Sequence, residues 1–174
     1  MTVKIILTEP NKLLRQISQP VDHVGENEQK LMDDMIETMY AANGIGLAAI
    51  QIGFPKRIIV MDISKDQVNK NPMYFVNPII LKKAKKQSIY EEGCLSVPNH
   101  FAEIDRPKEC EVEYLDYNGQ KKTLNAEGLL ATCIQHEIDH LEGILFIDYL
   151  SKLKKSMIIK KLSKQKNKPD RIIV

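Results

Sequence analysis

Long apolar runs are missing from this sequence, and so is an export signal. A membrane-spanning helix needs roughly 18 predominantly apolar residues, and no stretch of the chain approaches that length. The apolar part of the first ten residues, MTVKIILTEP, is too short for a signal peptide. The sequence therefore predicts a protein that does not enter membranes and that works in the cytoplasm.

Cysteine is scarce and tryptophan is absent. The three cysteines are Cys94, Cys110 and Cys133, an odd number in a chain without an export signal. A disulfide framework is typical of small exported proteins with paired cysteines, so this pattern argues against one. The thiols are instead available for metal binding or catalysis.

The overall composition is that of a soluble globular protein. The 174 residues are 43% hydrophobic and 28% charged, which excludes disordered and collagen-like chains. No internal repeat and no linker divides the sequence. We expect a single domain over residues 1–174, with a basic C-terminal helix and tail from about residue 151.

The charge is distributed unevenly along the chain. Residues 151–174 contain nine Lys or Arg and one acid, a net charge of +8, whereas the preceding residues carry a net charge of −6. Such a segment is either a solvated terminal helix or an arm that meets phosphate-rich RNA. The sequence leaves both interpretations open, and it does not indicate specificity for a nucleic-acid sequence.

Apolar spacing predicts three helices. The first lies between residues 27 and 43, where Leu31, Met35 and Met39 recur at helical spacing before the stop signal Asn43-Gly44. The second begins near Asn125 and is stopped by Gly143. The third begins near Ser151, and its apolar side is predicted to contain Leu153, Met157, Ile158 and Leu162.

Short strands are predicted between these helices. The apolar runs at residues 57–63 and 73–80 are rich in β-branched or aromatic residues and are bounded by Pro, Asn and Lys. Residues 109–114 and 120–124 flank the turn DYNG, which indicates a β-hairpin. Helices mixed with mainly antiparallel strands predict an α+β fold.

The stretch CIQHEIDH places His136 and His140 four residues apart around Glu137. Residues at this spacing share one helix face, so both imidazoles could bind one metal while Glu137 acts as a base. Leu129 and Cys133 fall on the same face and predict an apolar pocket beside the metal. Alone, the pattern is equally compatible with two histidines buried for structural reasons.

A third ligand is available in the stretch EEGCLSVP. Gly93 would allow the backbone to turn so that the Cys94 thiolate reaches the two histidines. Two imidazoles and one thiolate leave a fourth tetrahedral position free, which is the arrangement of a catalytic metal. Without the other motifs, Cys94 would be interpreted as a small buried residue at the edge of a sheet.

The stretch GIGLAAIQIG, residues 44–53, contains a polar residue among apolar ones. Its glycines match neither a P-loop nor a well-formed dinucleotide-binding pattern. The Gln51 amide either bonds to the backbone for structural reasons or donates a hydrogen bond to a reacting group.

In this order and at these separations, GIGLAAIQ, EEGCLS and QHEIDH resemble the three signature motifs of the peptide deformylase family. The resemblance spans essentially the whole chain. It implies an α+β fold in which antiparallel β-sheets surround a central metal-binding helix, with a C-terminal helix. It also implies a metal-dependent hydrolase that removes the N-formyl group from the N-terminal formylmethionine of newly made proteins and releases formate.

The resemblance also implies a role for each motif residue. The metal ligands would be Cys94, His136 and His140, holding one divalent ion: Fe(II) physiologically, or zinc, nickel or cobalt. Metal-bound water would attack the formyl carbon with Glu137 as general base. The carbonyl oxygen would be polarised by the Gln51 side chain and the Leu95 backbone N–H. The substrate would contact Gly44, Ile45, Gly46, Leu129 and Cys133.

Three further expectations follow from the resemblance. Glu92 would pair with Arg106 and hold the segment that carries Cys94. Many family members have an arginine seven residues after the cysteine, where this chain has Phe101, so contacts to the downstream part of the substrate are expected to differ. The basic C-terminal helix is similar to one through which some members dock on the ribosome.

Two other functions compete with this interpretation. A zinc endopeptidase would also use His136, Glu137 and His140, but its third ligand is usually a His or Glu downstream, and no histidine follows His140 here. A structural metal site on a ribosome-binding module would make Glu137 dispensable and would leave no open coordination position.

Overall fold

The computed structural model describes residues 2–64 and 69–166. Its three α-helices are α1 (Glu26–Ala41), α2 (Gly128–Leu141) and α3 (Lys152–Lys166), and shorter 3₁₀ turns lie at Lys12–Arg15, Ala49–Ile52 and Phe146–Tyr149. Helix α1 confirms the first predicted helix. Its fully buried Met35 and Met39 belong to the core, and the Glu28 carboxylate accepts a hydrogen bond from the Gly25 N–H at its start.

Two antiparallel sheets contain all seven strands of the described residues. The larger sheet has the order β1 (Gly46–Ala48), β2 (Ile58–Met61), β3 (Met73–Lys83), β6 (Glu109–Leu115) and β7 (Lys121–Glu127). The smaller sheet pairs β4 (Gln87–Cys94) with β5 (Val97–Pro107). The predicted strands and the hairpin β6–β7 are confirmed, and so is the α+β fold class with its C-terminal helix.

Helix α2 begins later than predicted. Asn125 and Ala126 pair with Glu111 and Cys110 in the ladder between β7 and β6, and the first helical residue is Gly128. The prediction of a start near Asn125 was wrong because strand pairing satisfies the backbone groups of these residues in another way. The spacing of apolar residues in the sequence does not show whether these residues pair in a strand or begin a helix.

Helix α2 is packed inside the molecule. Ala131, Ile134 and Leu141 on α2 are fully buried in one apolar cluster with residues of β2 and β3 and with Ile50. Burial of this kind contributes about 1.5–3 kcal/mol for each large apolar side chain. The helix is therefore a rigid support for the two histidines it carries.

The apolar side of α3 is narrower than predicted. Leu162 is buried against Val97 and Phe146, and Ile158 packs at the edge of the same cluster. Leu153 and Met157, however, are 72% and 63% exposed, so their assignment to the packed side was wrong. The start of α3 contacts the short turn Phe146–Tyr149, where Lys155 pairs with Asp148, and this contact leaves Leu153 and Met157 exposed.

None of the helices that the structure describes is both long enough and apolar enough to span a membrane.

Candidate metal and active site

Three side chains from two elements meet at the inner face of α2. His136 and His140 lie one turn apart on α2, and Cys94 is the last residue of β4. Their potential ligand atoms all lie within 4.8 Å of one another. The Cys94 Sγ is 3.2 Å from His140 Nε2, and the two imidazole centroids are 5.0 Å apart. This clustering is what the sequence predicted for a metal site.

An ion-pair network of Glu92, Arg106 and Asp139 fixes the orientation of the His136 ring. Its Nδ1 lies 2.9 Å from Glu92 Oε2, and because a carboxylate only accepts, Nδ1 carries the proton. Arg106 donates to both oxygens of Glu92, at 2.5 and 3.0 Å, and to Asp139 Oδ2 at 2.8 Å. Tyr149 also donates to Asp139. The expected pair Glu92–Arg106 is present, and it leaves His136 Nε2 free to act as a ligand.

The two histidines differ in their electrostatics. Burial opposes protonation of His136, but hydrogen bonds to Cys94 and Glu92 raise its pKa well above the usual value. Burial, reinforced by the charge of His136, lowers the pKa of His140 well below that value. Among the described residues, His140 Nδ1 has no hydrogen-bond partner although it is buried. Only one of the two rings is therefore held by a carboxylate.

Glu137 is buried beside the same cluster. Its side chain is 4% exposed, and burial raises the pKa of its carboxyl to about 7. A Cβ atom at Gly46 would collide with Glu137 Oε1 and would lie 3.0 Å from Cys133 Sγ. Gly46 is thus required for β1 to pass this close to α2. Oε2 of Glu137 has no partner in the described residues, so one carboxylate oxygen remains available.

Gln51 is held by the backbone and turned toward Cys94. Its Oε1 accepts from the Ala48 N–H at 2.8 Å, and its Nε2 donates to Ser96 Oγ at 3.0 Å and lies 3.6 Å from Cys94 Sγ. The bond to Ala48 fixes which end of the amide is the donor. The sequence left two interpretations of Gln51, a structural bond to the backbone or a donor to a reacting group. Its Oε1 makes a bond of the first kind, and its Nε2 faces Cys94, as the second requires.

A cavity of about 510 Å³ opens beside these residues. Its wall contains most of the residues that the sequence predicted for the site: Gly44, Ile45, Gly46, Gln51, Glu92, Cys94, Leu95, Leu129, Cys133, His136 and Glu137. His140 lies behind this wall with 1% exposure, and Arg106 lies behind Glu92. Phe101 is at the mouth of the cavity.

Several residues of the site were missed by the sequence predictions. Thr132 lines the cavity between Leu129 and His136, three residues from one and four from the other, so helical spacing could have identified it. Tyr90 lines it from β4, and the alternation of that strand carries a weaker signal. Asp139 and Tyr149 had no signal in the sequence, because only the fold brings them to Arg106.

The residues fit a transition metal. Imidazole nitrogen and thiolate sulfur are the donors of zinc and iron sites, whereas magnesium and calcium require mainly oxygen. The hydrogen bond from His136 Nδ1 to Glu92 is the outer support that metal-binding histidines commonly have. The donor set therefore fits a divalent transition metal without identifying which one.

Comparison with known proteins decides the family. The polypeptide deformylase family model matches residues 3–156. A peptide deformylase of Pelagibacter ubique (strain HTCC1062) is 75% identical over 174 residues, which cover all of both chains. The chain belongs to the peptide deformylase family. The peptide deformylase of Rhizobium meliloti (strain 1021) is 52% identical over 94% of each chain.

Solved peptide deformylases share the fold. The crystal structure of the enzyme from Ehrlichia chaffeensis in complex with actinonin has a TM-score of 0.91 and 44% sequence identity, and the match covers 97% of this chain and 100% of that one. Peptide deformylases are metal-dependent hydrolases of protein biosynthesis that remove the N-formyl group from newly made peptides. This is the activity that family membership assigns to the chain.

Proposed function

We propose that the cavity receives the N-terminal formylmethionine of a new peptide and that Cys94, His136 and His140 hold the metal on which its hydrolysis depends. The observation that carries this proposal is that a thiol and two imidazoles meet beside a buried, partly unpaired carboxylate. Cys94, His136 and Glu137 of this group line one cavity, and His140 lies directly behind them. A bound divalent metal would lower the pKa of a coordinated water from about 15.7 toward about 7.

Glu137 is the general base of this proposal. Water attacks the formyl carbon, Glu137 accepts its proton, and the same carboxyl then delivers a proton to the leaving nitrogen. The C–N bond breaks, and formate and a free amine are released. Support comes from the burial of Glu137 and from its unpaired Oε2.

Gln51 and Leu95 stabilise the charge that develops during attack. We assign the Gln51 Nε2 and the Leu95 backbone N–H as donors to the former carbonyl oxygen, because both residues line the cavity next to Cys94. The Oε1 bond to Ala48 orients the amide before substrate arrives. Removal of one such preorganised donor typically lowers the rate by about 100- to 1,000-fold.

The substrate's first side chain lies against α2 in this proposal. Leu129 and Cys133 form one side of the apolar wall and Ile45 the other, while Gly44 and Gly46 allow close approach of the substrate backbone. The formyl carbon bears only hydrogen, so a narrow site can admit it and exclude an acetyl group.

The metal, the location and the partners follow from the same proposal. From the family resemblance we infer Fe(II) as the physiological metal, and zinc, nickel or cobalt could replace it because the donor set suits each of them. The chain would act as one domain over residues 1–174, in the cytoplasm, on N-formylmethionyl nascent peptides. We also infer a ribosome contact through α3, whose Leu153, Met157 and several lysines are exposed. Unchanged ribosome binding after removal of residues 151–174 would contradict that contact.

Formate release tests the proposed function. Protein prepared without oxygen and loaded with a measured amount of Fe(II) should release formate from an N-formyl-Met peptide in proportion to its metal content. The matching N-acetyl peptide should release no acetate. Absence of oxygen matters because both Fe(II) and a cysteine thiolate can be oxidised.

Glu137→Gln separates catalysis from metal binding. This variant should retain the metal yet lose at least about 100-fold in kcat, a typical contribution of general base catalysis. Glu26→Gln, which changes an exposed carboxylate on α1 outside the cavity, is the matched control and should keep full activity. Full deformylation by Glu137→Gln would refute the assignment of the base.

A further inference from the structure

The four residues that join α1 to β1 form part of the cavity wall. This connector, residues 42–45, begins where α1 ends and leads directly into β1, and all four of its residues line the cavity. It includes Ile45, which we assign to the wall around the methionine side chain. A Cβ atom at Gly44 would lie only 2.8 Å from Leu95 Cδ1, so the connector fits closely against the segment that follows Cys94. A shift of the connector would therefore change the shape of the cavity.

Backbone hydrogen bonds attach the connector to two different elements. The Gly44 N–H donates to the Met39 carbonyl oxygen on α1 at 2.9 Å. The Ile45 carbonyl oxygen accepts from the Asp62 N–H at 2.9 Å, and Asp62 directly follows β2. The position of the connector thus depends on where the end of α1 lies relative to the end of β2. Strand β1 itself is held separately, by its pairing with β2.

The Asp62 carboxylate links these two ends. Its Oδ2 accepts from the Tyr40 hydroxyl at 2.6 Å and from the Asn71 N–H at 2.9 Å, and its Oδ1 accepts from the Ser64 N–H at 2.8 Å. Asp62 is 4% exposed. Burial opposes its ionisation, but the hydrogen bonds from Ser64 and Tyr40 lower the pKa of the carboxyl below its usual value. The group is therefore a buried carboxylate whose orientation is fixed by several donors.

Tyr40 is the donor that α1 contributes to this carboxylate. Burial and the neighbouring Asp62 raise the pKa of Tyr40, so its hydroxyl remains protonated and can donate. Lys70 Nζ lies over the ring, 4.2 Å from its centroid. Tyr40 and Asp62 belong to the described part of the chain and lie outside the cavity wall. Any effect that they have on a ligand in the cavity must act through the connector.

We propose that Asp62 is a positioning residue, which holds α1 against the end of β2 through Tyr40 and thereby keeps Ile45 in place beside the first side chain of the substrate. This inference rests on the proposed function, which assigns Ile45 to the methionine pocket. Binding residues must be held within about 0.5 Å of their productive geometry by such supporting hydrogen bonds. Because β1 and α2 do not depend on this carboxylate, its loss should weaken substrate binding and leave the chemical step unchanged.

Two peptides measure the fit of the methionine pocket. KM and kcat are determined for formate release from formyl-Met-Ala-Ser and formyl-Ala-Ala-Ser by the Fe(II)-loaded protein. Wild-type protein should prefer the Met peptide, because the alanine side chain is too short to bury apolar surface against Ile45. Asp62→Ala should raise KM for the Met peptide by about five- to tenfold, as loss of part of that burial predicts. Its kcat and the KM for the Ala peptide should stay within about twofold of wild type, so the Met/Ala ratio of kcat/KM should fall.

Two milder substitutions keep the test decisive if Asp62→Ala does not fold. Tyr40→Phe removes only the hydroxyl and should raise KM for the Met peptide by about two- to threefold. Asp62→Asn retains one acceptor oxygen, so its Met/Ala ratio should lie between those of Asp62→Ala and wild type. If both of these variants kept the wild-type KM for the Met peptide, the proposal would be overturned.

Asp34→Ala is the matched control for Asp62→Ala. Asp34 on α1 is also 4% exposed, accepts from the Thr2 N–H at 2.7 Å and pairs with Lys4, but it lies outside the cavity wall. This variant should lower the urea midpoint of unfolding about as much as Asp62→Ala does, because both lose a buried, hydrogen-bonded carboxylate. It should nevertheless keep the wild-type Met/Ala ratio. An equal fall of the ratio in both variants would mean that lost stability is the cause, and would refute the proposal.

The wild-type protein separates failure of this inference from failure of the proposed function. Formate release without a preference for Met would refute the assignment of Ile45 to the methionine pocket, and with it the positioning role of Asp62. No formate release from either peptide would refute the proposed function as well.

Discussion

His136 and His140 lie one turn apart on the same face of α2, yet their surroundings differ. His136 donates from Nδ1 to Glu92, which is held by Arg106. His140 has no such support in the described residues, and its pKa is shifted in the opposite direction. The two imidazoles therefore have different surroundings although the sequence spacing places them on the same helix face. The orientation of one ring is set by a buried charge network that reaches Tyr149 at the end of a 3₁₀ turn.

The largest expected effect is a loss in the free energy of unfolding when Arg106, the cation of this network, is replaced. In the described part of the chain, Arg106→Met would leave the buried Glu92 carboxylate with the His136 Nδ1–H as its remaining hydrogen-bond partner, and loss of one member of a buried ion pair typically costs about 3–5 kcal/mol. Urea denaturation of the metal-free wild-type and variant proteins measures the difference in their free energies of unfolding.

The control for Arg106→Met is Arg57→Met. Arg57 forms an ion pair with Glu142, whose side chain is 43% exposed. Pairs of this kind contribute about 1 kcal/mol or less because water screens them. Equal destabilisation by the two substitutions would mean that the network around His136 is no stronger than a surface pair.

A smaller effect, on metal affinity, is expected from Glu92→Gln. This substitution changes the hydrogen-bond partner of His136 and leaves the surroundings of His140 unchanged. The amide can still accept from His136 Nδ1 but carries no charge, so the imidazole becomes a weaker metal ligand. Loss of such outer support typically lowers metal affinity or activity by about 10- to 100-fold. Competition with a chelator, measured for Fe(II) or Zn(II), gives the affinity.

Glu113→Gln is the matched control for that measurement. Glu113 pairs with Lys121 on the hairpin β6–β7, away from the metal ligands. Its substitution should leave metal affinity unchanged. If Glu92→Gln also retained wild-type affinity, the difference between the two histidines would have no consequence for the metal.

The smallest effect is expected at the far end of the network. Tyr149→Phe removes the hydroxyl that donates to Asp139 at 2.8 Å, while Arg106 still bonds to the same carboxylate. We expect a loss of at most about 1 kcal/mol in unfolding free energy and less than about twofold in metal affinity. Tyr117→Phe, which removes a hydroxyl bonded to Asp33, is the control. A tenfold loss of affinity in Tyr149→Phe alone would extend the support of His136 to this residue.

The sequence predicted the metal-site elements better than their surroundings. Helical spacing placed His136, Glu137 and His140 together because that relation is local. The start of α2 was wrong by three residues because pairing of Asn125 with Glu111 is non-local. The exposure of Leu153 and Met157 could not be predicted either, since it depends on how little of the molecule lies beside the start of α3.

By itself, the sequence determined the helix with two histidines on one face, the α+β class, and a thiol and an amide suited to a metal-dependent reaction. These follow from periodicity and from the chemistry of single side chains. Only the tertiary structure decided that Cys94 lies 3.2 Å from His140, that Glu92 supports one histidine alone, and that Phe101 covers Gly93 at the cavity mouth. Those relations join residues far apart in the chain, and their distances are set by how the two sheets pack around α2.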